Sequence, residues 1–297
     1  AAVQRVKEQD QCEVLHDNCL GPGCVPALIL PFLSLWGKVD GKQGSGPTKS
    51  TQSPNPSLPM DYQGRIIRPP SEADSILLQA TVGCSHNKCT FCGAYKDKRF
   101  SFKALDTVAS DLAFAARYCR NQRRVFLCDG DALIMPQERL RRLLTSIREH
   151  LPWVTRVATY AGAKSLKRKS RTELEELRSL GLALVYMGLE SGDPATLESV
   201  RKGSTVQDMV EQGRRARQAG LKLNVTVLLG LAGKERSLEH ALATGAALSE
   251  MDPDQVAALT LMLIPGTPLH DAAQAGSFLL PDAQGMLLIV DACQIEF

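Results

Sequence analysis

Residues 76–92 read Ile-Leu-Leu-Gln-Ala-Thr-Val-Gly-Cys84-Ser-His-Asn-Lys-Cys89-Thr-Phe-Cys92. A short run rich in apolar and β-branched residues ends on Gly83, which predicts a buried strand giving way to a loop. Three thiols then share one loop. Downstream, five further apolar runs repeat the strand signal, over Arg124–Cys128, Val154–Tyr160, Ala183–Leu189, Lys222–Leu229 and Val256–Ile264. Helical patterns separate them at Leu105–Cys119, Gln137–His150, Arg171–Leu180, Thr205–Ala219 and Ser237–Met251. Leu140, Leu143, Leu144 and Ile147 follow the 3-4-3 spacing of one buried helix face. Gly181 and Gly220 follow two of these helices where a left-handed C-cap is expected. Continuous apolar strands separated by helices imply parallel strands covered on both sides. Six such units in series, with right-handed crossovers, predict an α/β fold of the partial (β/α)6, TIM-like barrel type. Functional sites in such barrels lie at the C-terminal ends of the strands, where the thiol loop falls.

Cys84, Cys89 and Cys92 can wrap one metal centre, because a short loop can fold back on itself. Three thiolates on a four-iron cluster leave one iron open to an outside ligand. Three on zinc leave a water position or require a fourth side chain, for which His86 and Cys128 are the candidates. Nine cysteines are an odd count and a poor disulfide framework. Thiols crowded in this way point to a reducing compartment, and the cytoplasm is expected. Cys119 and Cys128 fall within apolar helix and strand patterns and read as small core residues.

The thiol loop resembles the cluster loop of the radical S-adenosylmethionine (radical SAM) superfamily, which typically reads Cys-x3-Cys-x2-Cys with an aromatic residue before the last cysteine. Phe91 matches the aromatic position, and the first spacing is one residue longer, Ser85-His-Asn-Lys88. The resemblance runs over roughly residues 75–290. It implies a [4Fe-4S] cluster on Cys84, Cys89 and Cys92, with S-adenosylmethionine on the open iron. Cys128-Asp129-Gly130-Asp131-Ala132 stands where the family holds the amino group of that cofactor. Asp131 is the first candidate for the contact and Asp129 the second, with Gly130 letting the backbone approach. Gly188-Leu-Glu190-Ser-Gly-Asp-Pro194 resembles a segment of the branch containing oxygen-independent coproporphyrinogen oxidases and the Elongator catalytic subunit. There Glu190 would accept the ribose hydroxyls, while Asp193 and Pro194 suit a helix start. By the same likeness Arg201 is a candidate for the cofactor carboxylate, whereas Lys202 reads as a solvated helix-end charge. Gly230 and Gly233 close a strand that in the family lies near the adenine. Leu263-Ile-Pro-Gly-Thr-Pro-Leu269 reads as a rigid loop.

The function this implies is reductive cleavage of S-adenosylmethionine to methionine and a 5′-deoxyadenosyl radical, which removes hydrogen from a substrate the sequence does not identify. A reductase or a flavodoxin- or ferredoxin-type electron donor is implied as partner. Two alternatives stand beside it, a non-catalytic zinc or iron–sulfur protein and an inactive truncated core. No catalytic residue is assigned. No run approaches the ~18 apolar residues of a membrane span. A net charge of +3 is weak evidence for nucleic acid. Basic runs such as Lys164–Arg171 read as solvated surface, and 5% aromatics offer little stacking. Residues 1–59 hold seven of the sixteen prolines and are expected to be a disordered or non-native extension, with Met60 a candidate start. The core domain is expected over 60–290, including a weak last helix at Asp282–Val290, and an irregular or truncated tail over 291–297.

Overall fold

In the computed structural model, residues 60–286 are described, together with the backbone of Ala27–Leu30. The expectations for the rest of the N-terminal extension and for the tail after 286 lie outside the described residues. Strand β1 (Ala27–Leu30) pairs in parallel with β9 (Gln255–Thr260). No strand was read there from the sequence.

The core begins at β2 (Ile76–Gln79), followed by the two-residue strand β3 (Thr81–Val82), which forms an antiparallel hairpin with β4 (Ser101–Phe102). Four more parallel strands follow: β5 (Arg124–Cys128), β6 (Arg156–Tyr160), β7 (Leu182–Glu190) and β8 (Lys222–Leu229). The sheet order is β1-β9-β8-β7-β6-β5-β2, every neighbouring pair parallel. Sequential order with a helix in most crossovers is the signature of an open barrel, as the sequence predicted. The helices are α1 (Leu105–Tyr118), α2 (Gln137–His150), α3 (Ala163–Lys167), α4 (Arg171–Ser179), α5 (Pro194–Ser199), α6 (Val206–Gln218), α7 (Ser237–Met251) and α8 (Pro268–Gln274). Of the weak last helix, 283–286 is helical.

Period-two alternation sorts each strand into two faces. Leu78, Val125, Leu127, Val157, Val185, Leu223 and Val225 turn outward into one core with the helices, where α2 contributes Leu140, Leu143, Leu144 and Ile147. Phe126, Cys128, Ala158, Leu184 and Tyr186 turn inward and form a second cluster with Ile66, Leu77 and Tyr160. The barrel lumen is thus partly filled from below. The chain before β2 does the filling. Gln63 N donates to Gln79 Oε1 at 2.8 Å at the β2 edge, Ile66 packs inside, and Ser71 Oγ lies 2.9 Å from Tyr186 Oη. Glu72, fully buried, accepts from Tyr186 Oη at 2.6 Å and Arg156 Nη2 at 2.5 Å. Segment 66–72 is therefore the floor of the lumen, and the strands' C-terminal ends are left as its mouth.

Candidate functional site

The thiol loop leaves β3 at the mouth and is fastened at several points. Buried Asp129 carries Oδ2 as acceptor for Gly83 N (3.0 Å), Lys98 Nζ (2.9 Å) and Gln79 Nε2 (3.1 Å). That oxygen holds the start of the loop against the end of the loop's return path, while Asp129 Oδ1 is buried without a hydrogen-bond partner among the described residues. Gly130 has no room for a side chain: a Cβ there would stand 3.0 Å from Cys84 Cβ and 3.0 Å from the Tyr95 ring. Ser85 Oγ donates to Asp131 Oδ2 at 3.2 Å, so the loop leans on the β5 turn. Asp131 Oδ1 is buried without a hydrogen-bond partner among the described residues. Burial pushes the Asp131 carboxyl up to about 6, against hydrogen bonds from Ser165 and Ser85 that pull it down. A buried carboxylate with a spare acceptor is a seat for a cation.

The extra residue in the loop is absorbed at Asn87, which adopts φ +47° and donates from Nδ2 to Tyr95 O at 2.7 Å. Asparagine tolerates this left-handed conformation better than other non-glycine residues. His86 turns away from the thiols. Its Nε2 lies 2.8 Å from Arg201 O and its ring packs on Gly203. Burial raises the Cys89 thiol to about 11 and also lifts Cys92. No three His, Cys, Asp or Glu side chains among the described residues converge on a point that one ion could fill. Cys128 is fully buried on the lumen wall, and Phe91 packs with Val200, Leu231 and Leu261.

Glu190 ends β7 on a bulge. Register skips between Gly188 and Glu190, and Glu190 itself has φ +63°. A bulge re-aims the terminal side chain toward the lumen, and a non-glycine residue at such φ is held there by its surroundings. The holding contacts are on α7. Ser191 Oγ lies 2.7 Å from His240 Nδ1 and accepts from Asp193 N at 3.0 Å. Gly192 N donates to Thr244 Oγ1 at 2.8 Å, and a Cβ on Gly192 would run into Ala243 O. Asp193 caps α5 through Thr196 N and takes two 3.1 Å bonds from Arg236, as its predicted structural role requires. Burial lowers the His240 imidazole to about 4, so the ring is neutral.

Arg201 and Lys202 take the opposite placements to those the sequence suggested. Arg201 is exposed with φ +54°, whereas Lys202 points inward, its Nζ 2.8 Å from Glu190 Oε1. Burial opposes the Lys202 charge, but Glu190 and the nearby thiols outweigh it and its pKa is raised. The exchange follows from α5 ending at Ser199: the chain turns before the pair, and the helix periodicity that would have exposed Lys202 no longer applies. Gly230, at the end of β8, has φ +83° and faces Met286, while Gly233 faces Phe278. His240 and Lys98 carried no local sequence signal, since each acts only through partners distant in the chain.

The sequence model for the radical SAM superfamily matches residues 78–244. The heme chaperone HemW of Bacillus subtilis is 23% identical over 159 residues, covering 53% of this chain and 41% of that protein. The solved structure of the radical S-adenosylmethionine methyltransferase TsrM from Kitasatospora setae superposes with TM-score 0.54 at 22% identity, covering 69% of this chain and 41% of the other. Coproporphyrinogen III oxidase HemN from Escherichia coli does so with TM-score 0.52 at 17% identity, covering 73% and 50%. The chain thus spans half or less of each of these three proteins. At these identities the structural likeness concerns the fold.

Proposed function

The chain belongs to the radical SAM superfamily, whose cofactors are a [4Fe-4S] cluster and S-adenosylmethionine, and we propose that it is an enzyme that uses them to take hydrogen from a substrate. When bound, the two cofactors supply one-electron cleavage of the S–C5′ bond and a 5′-deoxyadenosyl radical. Cys84, Cys89 and Cys92 hold the cluster. The single observation that best supports this is the thiol loop itself. Its sulfurs stand at the barrel mouth, and burial holds the Cys89 and Cys92 thiols above their usual range, a shift that a bound cation would reverse. His86, committed to Arg201 O, is not placed as the fourth ligand a zinc clip would require.

The remaining roles fall to residues around the mouth. The spare acceptor of Asp131 fits an ammonium. Glu190, re-aimed by its bulge, fits the ribose hydroxyls, and Lys202 rather than Arg201 fits the carboxylate. Gly230 offers backbone to the adenine. The Ser191–His240 contact keeps Glu190 in place, and the floor excludes water from below. An electron donor of the flavodoxin or ferredoxin kind and a cytoplasmic setting accompany this reading. No helix among the described residues is long and apolar enough to cross a membrane.

Anaerobic reconstitution followed by addition of dithionite and S-adenosylmethionine tests the proposal. About four irons per chain and release of 5′-deoxyadenosine are expected; one zinc and no iron would sink it. Lys202→Met should weaken S-adenosylmethionine binding by about tenfold or more, the loss of a charge-assisted contact. Arg201→Met should leave binding unchanged.

A further inference from the structure

Segment 66–72 places charge inside the barrel. Ile66 packs among Phe126, Cys128, Leu184 and Tyr186, and Ser71 and Glu72 reach Tyr186 from below. Arg68 lies between these anchors, close enough to Cys128 and Tyr160 for its charge to act on both. Its only hydrogen bond among the described residues is a long one, Nη1 to Pro69 O at 3.3 Å. No carboxylate among the described residues pairs with it.

The neighbouring charges do not cancel it. Glu72 is spent on Arg156, Tyr186 and Ser75. Arg156, having given Nη2 to Glu72, still has a buried Nε without a partner. At the outer rim Arg124 has Asp74 at 3.7 Å, and Asp129 is held by Lys98. The lumen floor therefore carries two guanidinium groups and one carboxylate, a surplus of one positive charge. Above the floor, at the C-terminal end of β6, stands Tyr160, whose ring centroid is 5.1 Å from that of Phe126 and 6.1 Å from that of Tyr186. The Tyr160 hydroxyl makes no hydrogen bond to a described residue. The Arg68 charge is close enough to counter part of the upward push that burial exerts on the Tyr160 phenol and the Cys128 thiol. Both Arg68 and Tyr160 keep partial solvent exposure.

A guanidinium left unpaired in a partly apolar chamber is costly unless an anion meets it. Guanidinium also suits carboxylate and phosphate geometrically, through paired N–H donors. We propose that Arg68 and Tyr160 form an anion seat in the lumen, above its floor, and that the substrate is an organic anion whose carboxylate or phosphate docks there. This rests on the preceding reading of the mouth as the S-adenosylmethionine site, since it sets the substrate between floor and cofactor. Held at its far end in this way, a substrate would present its middle to the mouth. The same fixed anchor would favour one carbon for hydrogen removal.

The test is calorimetric titration of the anaerobically reconstituted full chain, saturated with S-adenosylmethionine and without reductant, using inorganic phosphate and succinate at constant ionic strength. Saturable one-to-one binding of at least one probe is expected. Arg68→Gln should weaken it by about tenfold or more, Tyr160→Phe by less, and neither should alter S-adenosylmethionine affinity. Arg68→Lys, which keeps the charge and loses the paired donors, should bind with intermediate affinity and guards against a folding defect in the Gln variant. Absence of saturable binding of either probe, or equal binding by the parent and Arg68→Gln, overturns the seat. If S-adenosylmethionine itself does not bind, the enzyme reading fails. The same Arg68→Gln comparison on the cofactor-free chain then still decides the anion seat separately.

Discussion

Asn87 shows how a one-residue insertion is accommodated at a single φ angle. Its backbone sits at +47° and its side chain holds Tyr95 O. A β-branched residue in that conformation costs more than asparagine or glycine. Asn87→Val should therefore lower the melting temperature and the iron retained after reconstitution, while Asn87→Gly should keep the iron and lose only the side-chain bond, about 1 kcal/mol. Equal behaviour of the two in a thermal scan would show that the angle is unimportant. Several candidate site residues could be named from the sequence because their chemistry is local: three thiols on one loop, an acid at a strand end, a glycine where backbone must approach. Lys202 was misjudged for the opposite reason. Its inward orientation depends on where α5 stops and on Glu190 twelve positions earlier, a pairing visible only once both side chains are in space.

At the scale of elements, the turn between β7 and α5 and the helix α7 behave as one piece. Gly192 is the contact point, since any Cβ there meets a backbone carbonyl of α7, which cannot swing aside. Gly192→Ala should cost about 3 kcal/mol, the upper range for overpacking. A lowered urea midpoint at unchanged slope would report it, and a midpoint equal to the parent's would show that α7 yields. The long periodic elements were readable with their bounds: β5, β8, α2 and α7 begin and end where the apolar spacing says. Those missed were short. The β3–β4 hairpin has two residues per strand, too few for a period. Helix α3 overlaps the basic run Lys164–Arg171, its buried Ala163, Ser165 and Leu166 masked by charge. Helix α8 starts within the Pro-rich loop, capped by Thr267.

Across the whole molecule, two buried groups titrate in opposite senses. Asp131 is raised from 3.8 to about 6, so the folded chain keeps a proton the unfolded chain loses, and its contribution to stability falls as pH rises through that window. His240 is lowered from 6.5 to about 4, so the unfolded chain binds the proton, and its contribution rises with pH over nearly the same range. Each is worth about 3 kcal/mol across its window, and between pH 4 and 6 they offset one another in the cofactor-free chain. Asp131→Asn should make stability climb more steeply with pH than in the parent, and His240→Gln should make it climb less or fall. Denaturant titrations at pH 4, 5 and 6 check this; parallel profiles for all three proteins would refute it. The barrel itself was readable from six repeats of one pattern. Its floor was not, because segment 66–72 has no period of its own and takes its place from partners in β5, β6 and β7.

That floor also bears on the order in which the molecule can assemble. Glu72 leaves the ribosome early, yet its partners Arg156 and Tyr186 follow 84 and 114 residues later. Contacts so distant along the chain carry a loop-closure cost and form late in folding. Until β7 has been made, the nascent barrel has no bottom, and the first half of the sheet must wait with its inner aromatic face uncovered. A chain halted during synthesis before residue 186 would expose Phe126 and Tyr160, a surface on which chaperones act. The lumen thus closes only after β7 has been made, although the segment that closes it precedes β2 and the strands that follow it.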